Sequence, residues 1–404
     1  MQRRRAVATG LQFLDSPKCL PDAASVLSPP MRILLASDKY KGSLTATQVA
    51  QTLRRVFESE IPGVVCDICP IADGGEGTTE AMITALGGEW VETPSFDARG
   101  RPITARYGLI FTEGQTEAVL EMSAASGLAM VSDLPLDPTT ASTYGTGVMM
   151  RDAIQRGAHK ILIGIGGSAT NDGGTGMAQA LGYHFLDASG AALETLPRDL
   201  DQLARIERPA ATFVPIKVAC DVNNPLLGQH GCTRVYGPQK GVTCFDFFEH
   251  RLAKLAQVVQ HDLGVNAADI PGAGAAGGLG YGLIAFGGAQ LVSGFDLVAD
   301  AVNLRQRIAE ADLVITGEGR LDAQTLHGKG PVGVAQMARA LGKPVAAFAG
   351  AIDDSPALRA HFAFAHAIKP TDMPLSEAIV RAEELLESAA RQAVPEIRRM
   401  LGLA

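Results

Sequence analysis

Residues 31–60 read MRILLASDKYKGSLTATQVAQTLRRVFESE. The apolar run from Ile33 to Ala36 has the composition of a buried strand, and the polar loop DKYKGS follows it directly. Beyond the loop, Val49, Leu53, Val56 and Phe57 recur at helical spacing, which predicts a helix over about 45–61. Thr45 and Gln48 stand three apart at its start, the spacing of a capping box. The pattern then repeats: a strand over about 64–71, the loop ADGGEG (72–77) and a helix over about 76–86. Strand, polar or glycine loop, helix, twice over, predicts an α/β fold with a parallel sheet. In such sheets ligands bind at the carboxyl ends of the strands.

Downstream the texture changes and then returns. From about 90 to 130, WVETPSF, ITARYGLIF and EAVLEMS are short, β-like and separated by turn residues, as in hairpins. A helix over about 146–157 precedes the strand KILIGIGG, the loop SATNDGGTG and a helix through MAQALG. PIKVACDV reads as a strand, 246–261 as a helix, and 271–290 is rich in glycine and alanine. After about 295 the strand–helix style resumes with LVITGEG, GPVGVAQMARALG, PVAAFAG and FAHAIKP. A last helix carries Ile379, Ala382, Leu385, Leu386 and Ala389. These segments predict an α/β domain made from 31–90 and 293–404, with a second α/β, mixed-sheet domain over 91–292 inserted. The ligand cleft is expected between the two. Residues 1–30 read as a disordered extension.

Composition narrows the function. Glycine is enriched at 45 of 404 residues, and the formal net charge is −8. An acidic chain without a basic block beyond Arg3–Arg5 is a poor nucleic-acid binder. No run approaches the ~20 apolar residues that span a bilayer. Six cysteines form no disulfide framework or zinc spacing, which points to a reduced, cytoplasmic protein. Cys66 and Cys69 lie three apart in a strand and face opposite ways, so buried apolar positions explain them better than a shared metal.

The glycines concentrate after apolar strands, together with Asp, Glu, Asn, Ser and Lys. Glycine lets a backbone approach a ligand closely, helix-start amides hold anions, and carboxylates suit Mg2+. That combination points to phosphoryl transfer, where catalysis is mostly positioning and charge neutralisation. In DKYKGS, Lys41 and Ser43 make a phosphate cradle or an ordinary cap beside a solvated lysine. In ADGGEG, Asp73 and Glu76 hold Mg2+, move a proton or merely start a helix. GIGGSATNDGG (164–174) offers Gly166, Gly167, Ser168 and Asn171 to phosphate, with Asp172 as a base or Mg2+ ligand. CDVNNPL presents Asp221 and Asn223, and GPQKG presents Gln239 and Lys240; turn chemistry also explains both. GEGRLDAQT clusters Glu318, Arg320 and Asp322, and Arg320 is the best single grip for a carboxylate or phosphate. His327 is the histidine expected nearest a site. No Walker A motif or G-x-S-x-G elbow occurs.

Taken in order, the loops resemble the bacterial glycerate kinase family. The matching text includes DKYKGSL, CPIADGGEGT, TYGTG, IGIGGSATNDGGTGMAQALG, VACDVNNPLLG, YGPQKG, PGAGAAGGLGYG and ITGEGRLDAQTLHGKGP. The likeness runs from about Met31 to the C-terminal helix. It implies a Rossmann-like domain and transfer of the ATP γ-phosphoryl group to a hydroxyl of D-glycerate with Mg2+, most often the 2-hydroxyl. It differs at Asp38-Lys39-Tyr40-Lys41, where the family pattern has D-S-F-K, so Lys39 adds a positive charge. The roles that follow are expectations. Lys41, Ser43, Ser168, Asn171 and the amides of Gly166 and Gly167 hold phosphate. Asp73, Asp322 and Glu318 hold Mg2+. Arg320 or Lys240, with Gln239, Asp221 and Asn223, binds glycerate, and Asp172 with Lys41 serves catalysis. The sequence is compatible with a homodimer.

Two rivals stay open. G-x-G-x-x-A at 164–169 with Asp187 about 20 residues on has the outline of a dinucleotide fingerprint, hence an NAD-dependent dehydrogenase of a small hydroxy acid. The other is a non-catalytic sensor of glycerate or nucleotide.

Overall fold

Strand β1 (Met31–Ser37) is an inner strand of a five-stranded parallel sheet. The computed structural model describes residues 30–404 apart from 113, 211–212, 323–324, 326–329, 354 and 404. The proposed N-terminal extension, save Pro30, and His327 lie outside the described residues. Met31–Ala404 forms one compact unit. β1 pairs with β2 (Val64–Ile68) on one side and with β11 (Leu313–Leu321) on the other, followed by β12 (Val345–Ile352) and β13 (Phe364–Ala367). Ile33 and Leu35 are buried on one face and Leu34 and Ala36 on the other, so both faces are covered. That double burial explains why the strand reads as a continuous apolar run rather than an alternating one.

The helix Ala46–Glu60 covers one face. Its capping box forms as the spacing requires: Gln48 N donates to Thr45 Oγ1 at 3.2 Å and Thr45 N donates to Gln48 Oε1 at 2.9 Å. Val49, Leu53, Val56 and Phe57 are completely buried, a contribution of roughly 1.5–3 kcal/mol each. The C-terminal stripe is divided differently from expectation. Leu375–Val380 and Ala382–Met400 are two helices broken at Arg381 (φ −98°, ψ 14°), and Ile379 is exposed. The packed stripe is Leu385, Leu386, Ala389, Ala393 and Ile397.

The second sheet is mixed and six-stranded. β3 (Glu89–Phe96), β4 (Pro102–Thr112) and β5 (Gln115–Glu121) form the expected antiparallel meander. β5 then pairs in parallel with β6 (Lys160–Gly164), which pairs with β9 (Ile216–Ala219) and, through it, β10 (Gln290–Val292). β7 (His184–Leu186) and β8 (Arg205–Glu207) make a separate antiparallel pair. Asp187, just past β7, accepts bonds from Ser189 N, Ser189 Oγ and Ala191 N in that turn, away from the main sheets.

The glycine- and alanine-rich stretch is a helix, Ala275–Gly287, interrupted by left-handed residues Ala276, Gly277 and Gly278. Its composition serves close packing: a Cβ at Gly277 would lie 1.8 Å from the carbonyl oxygen of Thr170. We predict that Gly277→Ala destabilises the fold by about 3 kcal/mol or more, beyond a typical substitution. Backbone collision and a positive φ act together there, and chemical denaturation measures the loss.

Candidate active site

The loop 72–77 leaves the parallel sheet and is pressed against strand ends of the mixed sheet. A Cβ on Gly164, at the end of β6, would lie 2.3 Å from the carbonyl oxygen of Gly74. One on Gly74 would lie 2.3 Å from Cβ of Ala219, at the end of β9, and one on Gly294 would lie 1.9 Å from the carbonyl oxygen of Asp73. A Cβ on Gly166 would stand 3.4 Å from Cα of Gly75, so the acidic loop and the 164–174 glycine loop lie side by side. The carboxyl ends of β1, β2, β5, β6, β9 and β11 thus contribute to one region.

A carboxylate group converges there. Lys39 Nζ stands 3.9 Å from Asp38 Oδ1 and 3.8 Å from Asp73 Oδ1. Burial pushes the Asp38 carboxyl up to about 6; Lys39 opposes the shift and Asp73 reinforces it. Burial likewise pushes Glu318 up to about 7, against a bond from Thr325 and reinforced by Asp38, Asp322 and Asp73. Thr325 Oγ1 donates to Glu318 Oε1 at 2.8 Å and accepts from Asp322 N at 3.1 Å, which fixes the turn. Arg320 is exposed, with Nη2 donating to Asp353 at 2.8 Å and Nε 3.8 Å from Asp322. Lys41 is also exposed, and its backbone nitrogen lies against Gly319. Four carboxylates face Lys39 and Arg320 at strand ends, beside exposed glycines.

The model of the glycerate kinase family matches residues 33–398. This chain belongs to the glycerate kinase family. It is 44% identical over 367 residues to a glycerate kinase of Halalkalibacterium halodurans, covering 89% of this chain and 96% of that one. It is 45% identical over 334 residues to the glycerate 2-kinase of Escherichia coli K12, covering 80% and 86%. Its fold matches the crystal structure of a protein provisionally described as glycerate kinase 2 from Salmonella typhimurium LT2. There the TM-score is 0.83 at 40% identity, covering 92% of this chain and 99% of that one.

Several residues expected to touch ligands in this glycerate kinase family member are sealed inside it. Asp172 is completely buried. Its carboxylate accepts from Thr143 N and Oγ1 at 2.8 and 2.7 Å, Gly174 N at 3.0 Å and Gly176 N at 3.3 Å. With both oxygens engaged and no exposed surface it braces the loop, which corrects the expectation of a base. Lys240 is 1% exposed, and Nζ donates to Ser168 Oγ and Thr170 O, both at 2.7 Å. That geometry removes it from the carboxylate-gripping set. Asn171 is 3% exposed and donates to Thr233 Oγ1 at 3.1 Å, so it is a poor phosphate ligand. Ser43 Oγ donates to Tyr40 O at 3.0 Å and closes its own turn.

Other expected residues lie at the surface or in capping roles. Gly166, Gly167, Asn223 and Gln239 are exposed. Asp221 Oδ1 accepts from Gly294 N at 3.1 Å, at the start of the helix Gly294–Ala301.

Two participants escaped the sequence reading. Asp38 stands at the end of β1, the usual place for a ligand-facing group, but Lys41 drew the attention in that loop. Glu121, at the end of β5, accepts from Gly77 N at 3.2 Å and Thr79 N at 2.9 Å and so caps the helix Thr78–Leu86. Asp73 does not cap that helix; its Oδ1 accepts from Gly75 N at 3.0 Å. An acid closing the apolar run Ala118–Leu120 was the available signal for Glu121.

The site's donors fit Mg2+. They are hard carboxylate oxygens, and burial, reinforced by neighbouring carboxylates, holds two carboxyls above their ordinary range, which a bound cation opposes. Among the described residues no group of three or more ligating side chains is preassembled. That agrees with an ion bound by one or two carboxylates together with substrate phosphates.

The burial of these carboxyls has a pH signature. Asp38 and Glu318 have folded values above their unfolded ones, 3.8 and 4.5, so the stability they contribute is full below those values. It is lost as pH rises through about 6 and about 7. In chelator-treated protein, Glu318→Gln should match the wild type in melting temperature near pH ~5 and exceed it near pH ~8. Equal melting curves at both would refute the raised Glu318 value.

Proposed function

We propose that this chain transfers the γ-phosphoryl group of ATP to the 2-hydroxyl of D-glycerate, giving 2-phosphoglycerate and ADP. The reading is carried by one juxtaposition, the acidic loop at Asp73 lying against the glycine loop at Gly166, in a chain of this family. The amides of Gly166 and Gly167 with Ser168 receive phosphate oxygens, and Lys41 adds a mobile positive charge. Asp73 and Asp322 hold Mg2+, which supplies neutralisation of the phosphate charge. Arg320 exchanges Asp353 for the glycerate carboxylate, a planar and bidentate match. Glu318, with Oε1 tied to Thr325, takes the hydroxyl proton on Oε2; a carboxyl held near 7 suits a base at neutral pH.

The dehydrogenase reading needs Asp187 facing a cofactor ribose, and its bonds within the β7–β8 turn weigh against that. Phosphoryl transfer with a proton acceptor in place favours catalysis over sensing. We further propose a cytoplasmic location. Cys66, Cys69, Cys220, Cys232 and Cys244 are free thiols, and no described helix is long and apolar enough to cross a membrane.

Coupled ADP release should require D-glycerate and ATP together, and NMR of the product should show phosphate on C2. Release without D-glycerate dependence would overturn the assignment, and phosphate on C3 would overturn its regiochemistry. Arg320→Met should raise KM for D-glycerate by about 10-fold or more while shifting KM for ATP little, as expected for losing a charged hydrogen bond of roughly 1.5–3 kcal/mol.

A further inference from the structure

We propose that Lys240 is a positioning residue for phosphoryl transfer: from beneath the glycine loop it orients the Ser168 hydroxyl toward the bound phosphate and supplies buried positive charge to that loop. The proposal rests on the reading of 166–168 as the phosphate loop.

Lys240 ends the short turn Pro238–Lys240, and Gly241 at φ 90° redirects the chain after it. The side chain therefore runs inward, and its ammonium lies under the loop with bonds of 2.7 Å to Ser168 Oγ and to Thr170 O. An ammonium has only donors, so Ser168 Oγ must accept. The serine proton is then directed away from the lysine. The loop backbone is held independently, because Leu128 N donates to Gly167 O at 2.9 Å and Ala169 N to Ser126 O at 3.0 Å. Ser168, itself 6% exposed, is thus fixed in place with its hydroxyl polarised as a donor, directly after the exposed Gly166 and Gly167.

A structural tie would not need a charge. Burying an ammonium carries a desolvation cost of several kcal/mol, which a neutral donor would avoid. An anion bound on the other side of the loop offsets that cost, since charges interact more strongly where water is excluded. The groups facing Lys240 are Asp172 from the glycine loop and Cys232 from the helix Cys232–Tyr236. Cys232 in turn faces Glu249 of the helix Phe245–Leu263. Burial pushes Lys240 down to about 8, with Cys232 and Asp172 opposing, while burial pushes the Cys232 thiol up to about 12. Of the lysine and the thiol, only the lysine changes charge just above neutrality. It is charged below that value and loses the charge as pH rises.

The test is kcat/KM for ATP from pH ~6.5 to ~9.5 at saturating D-glycerate and Mg2+, for wild type, Ser168→Ala, Lys240→Met and the double variant. Wild type should fall by about 10-fold on the alkaline side, with a midpoint near 8. Ser168→Ala should be lower by about 10-fold at neutral pH, with a shallower alkaline fall. Lys240→Met should lose about 100-fold and show no alkaline fall, and the double variant should equal Lys240→Met. Losses that multiply in the double variant, or an alkaline fall of full depth in Ser168→Ala, overturn the proposal. If circular dichroism shows Lys240→Met unfolded, the Ser168→Ala profile decides alone. A wild type without D-glycerate-dependent turnover would instead refute the kinase reading, which keeps the two failures apart.

Discussion

The site depends on backbone meeting backbone where the 72–77 loop crosses the ends of β6 and β9. Gly74, Gly164 and Gly294 approach neighbouring atoms so closely that a methyl group on any of them would overlap its neighbour. Hydrophobic cores tolerate exchange of one apolar residue for another of similar volume, but this junction is mostly backbone, the Ala219 methyl aside. The glycine enrichment is therefore a geometric requirement of the site. It brings the carboxylates carried by one sheet within reach of the amides carried by the other.

Charge is distributed with matching economy. The surface ion pairs, such as Arg55 with Glu383, are exposed and worth little individually. The consequential charges lie at strand ends, where Asp38, Asp73, Glu318 and Asp322 repel one another and only Lys39 and Arg320 answer them among the contacts described. Burial holds Asp38 and Glu318 above their ordinary range there, and a cation beside them favours their charged forms. The arrangement stores a preference for a cation in the folded state.

Strand ends were legible because burial on both faces of β1 and β11 leaves apolar runs that stop abruptly at polar loops. The capping box at Thr45 and the hairpins of 90–130 were legible for the same local reasons. Inward and outward directions within the loops were not. Asp172 and Asn171 have the residue types of catalysis, yet the helix Ala275–Gly287 packs onto their segment from about a hundred residues away, and Lys240 is buried against the same loop. Glu121 was hidden in the opposite sense, as one acid in a strand that reads as a simple hairpin edge. Each depends on packing between segments distant in sequence, which periodicity does not report.

Glu121 carries one more consequence. It belongs to the mixed sheet, yet its half-buried carboxylate closes the first turn of a helix that follows β2 of the parallel sheet. Separating the two sheets at that point would strand a carboxylate and uncap a helix at once. Relative movement of the two sheets is therefore resisted at the 72–79 segment.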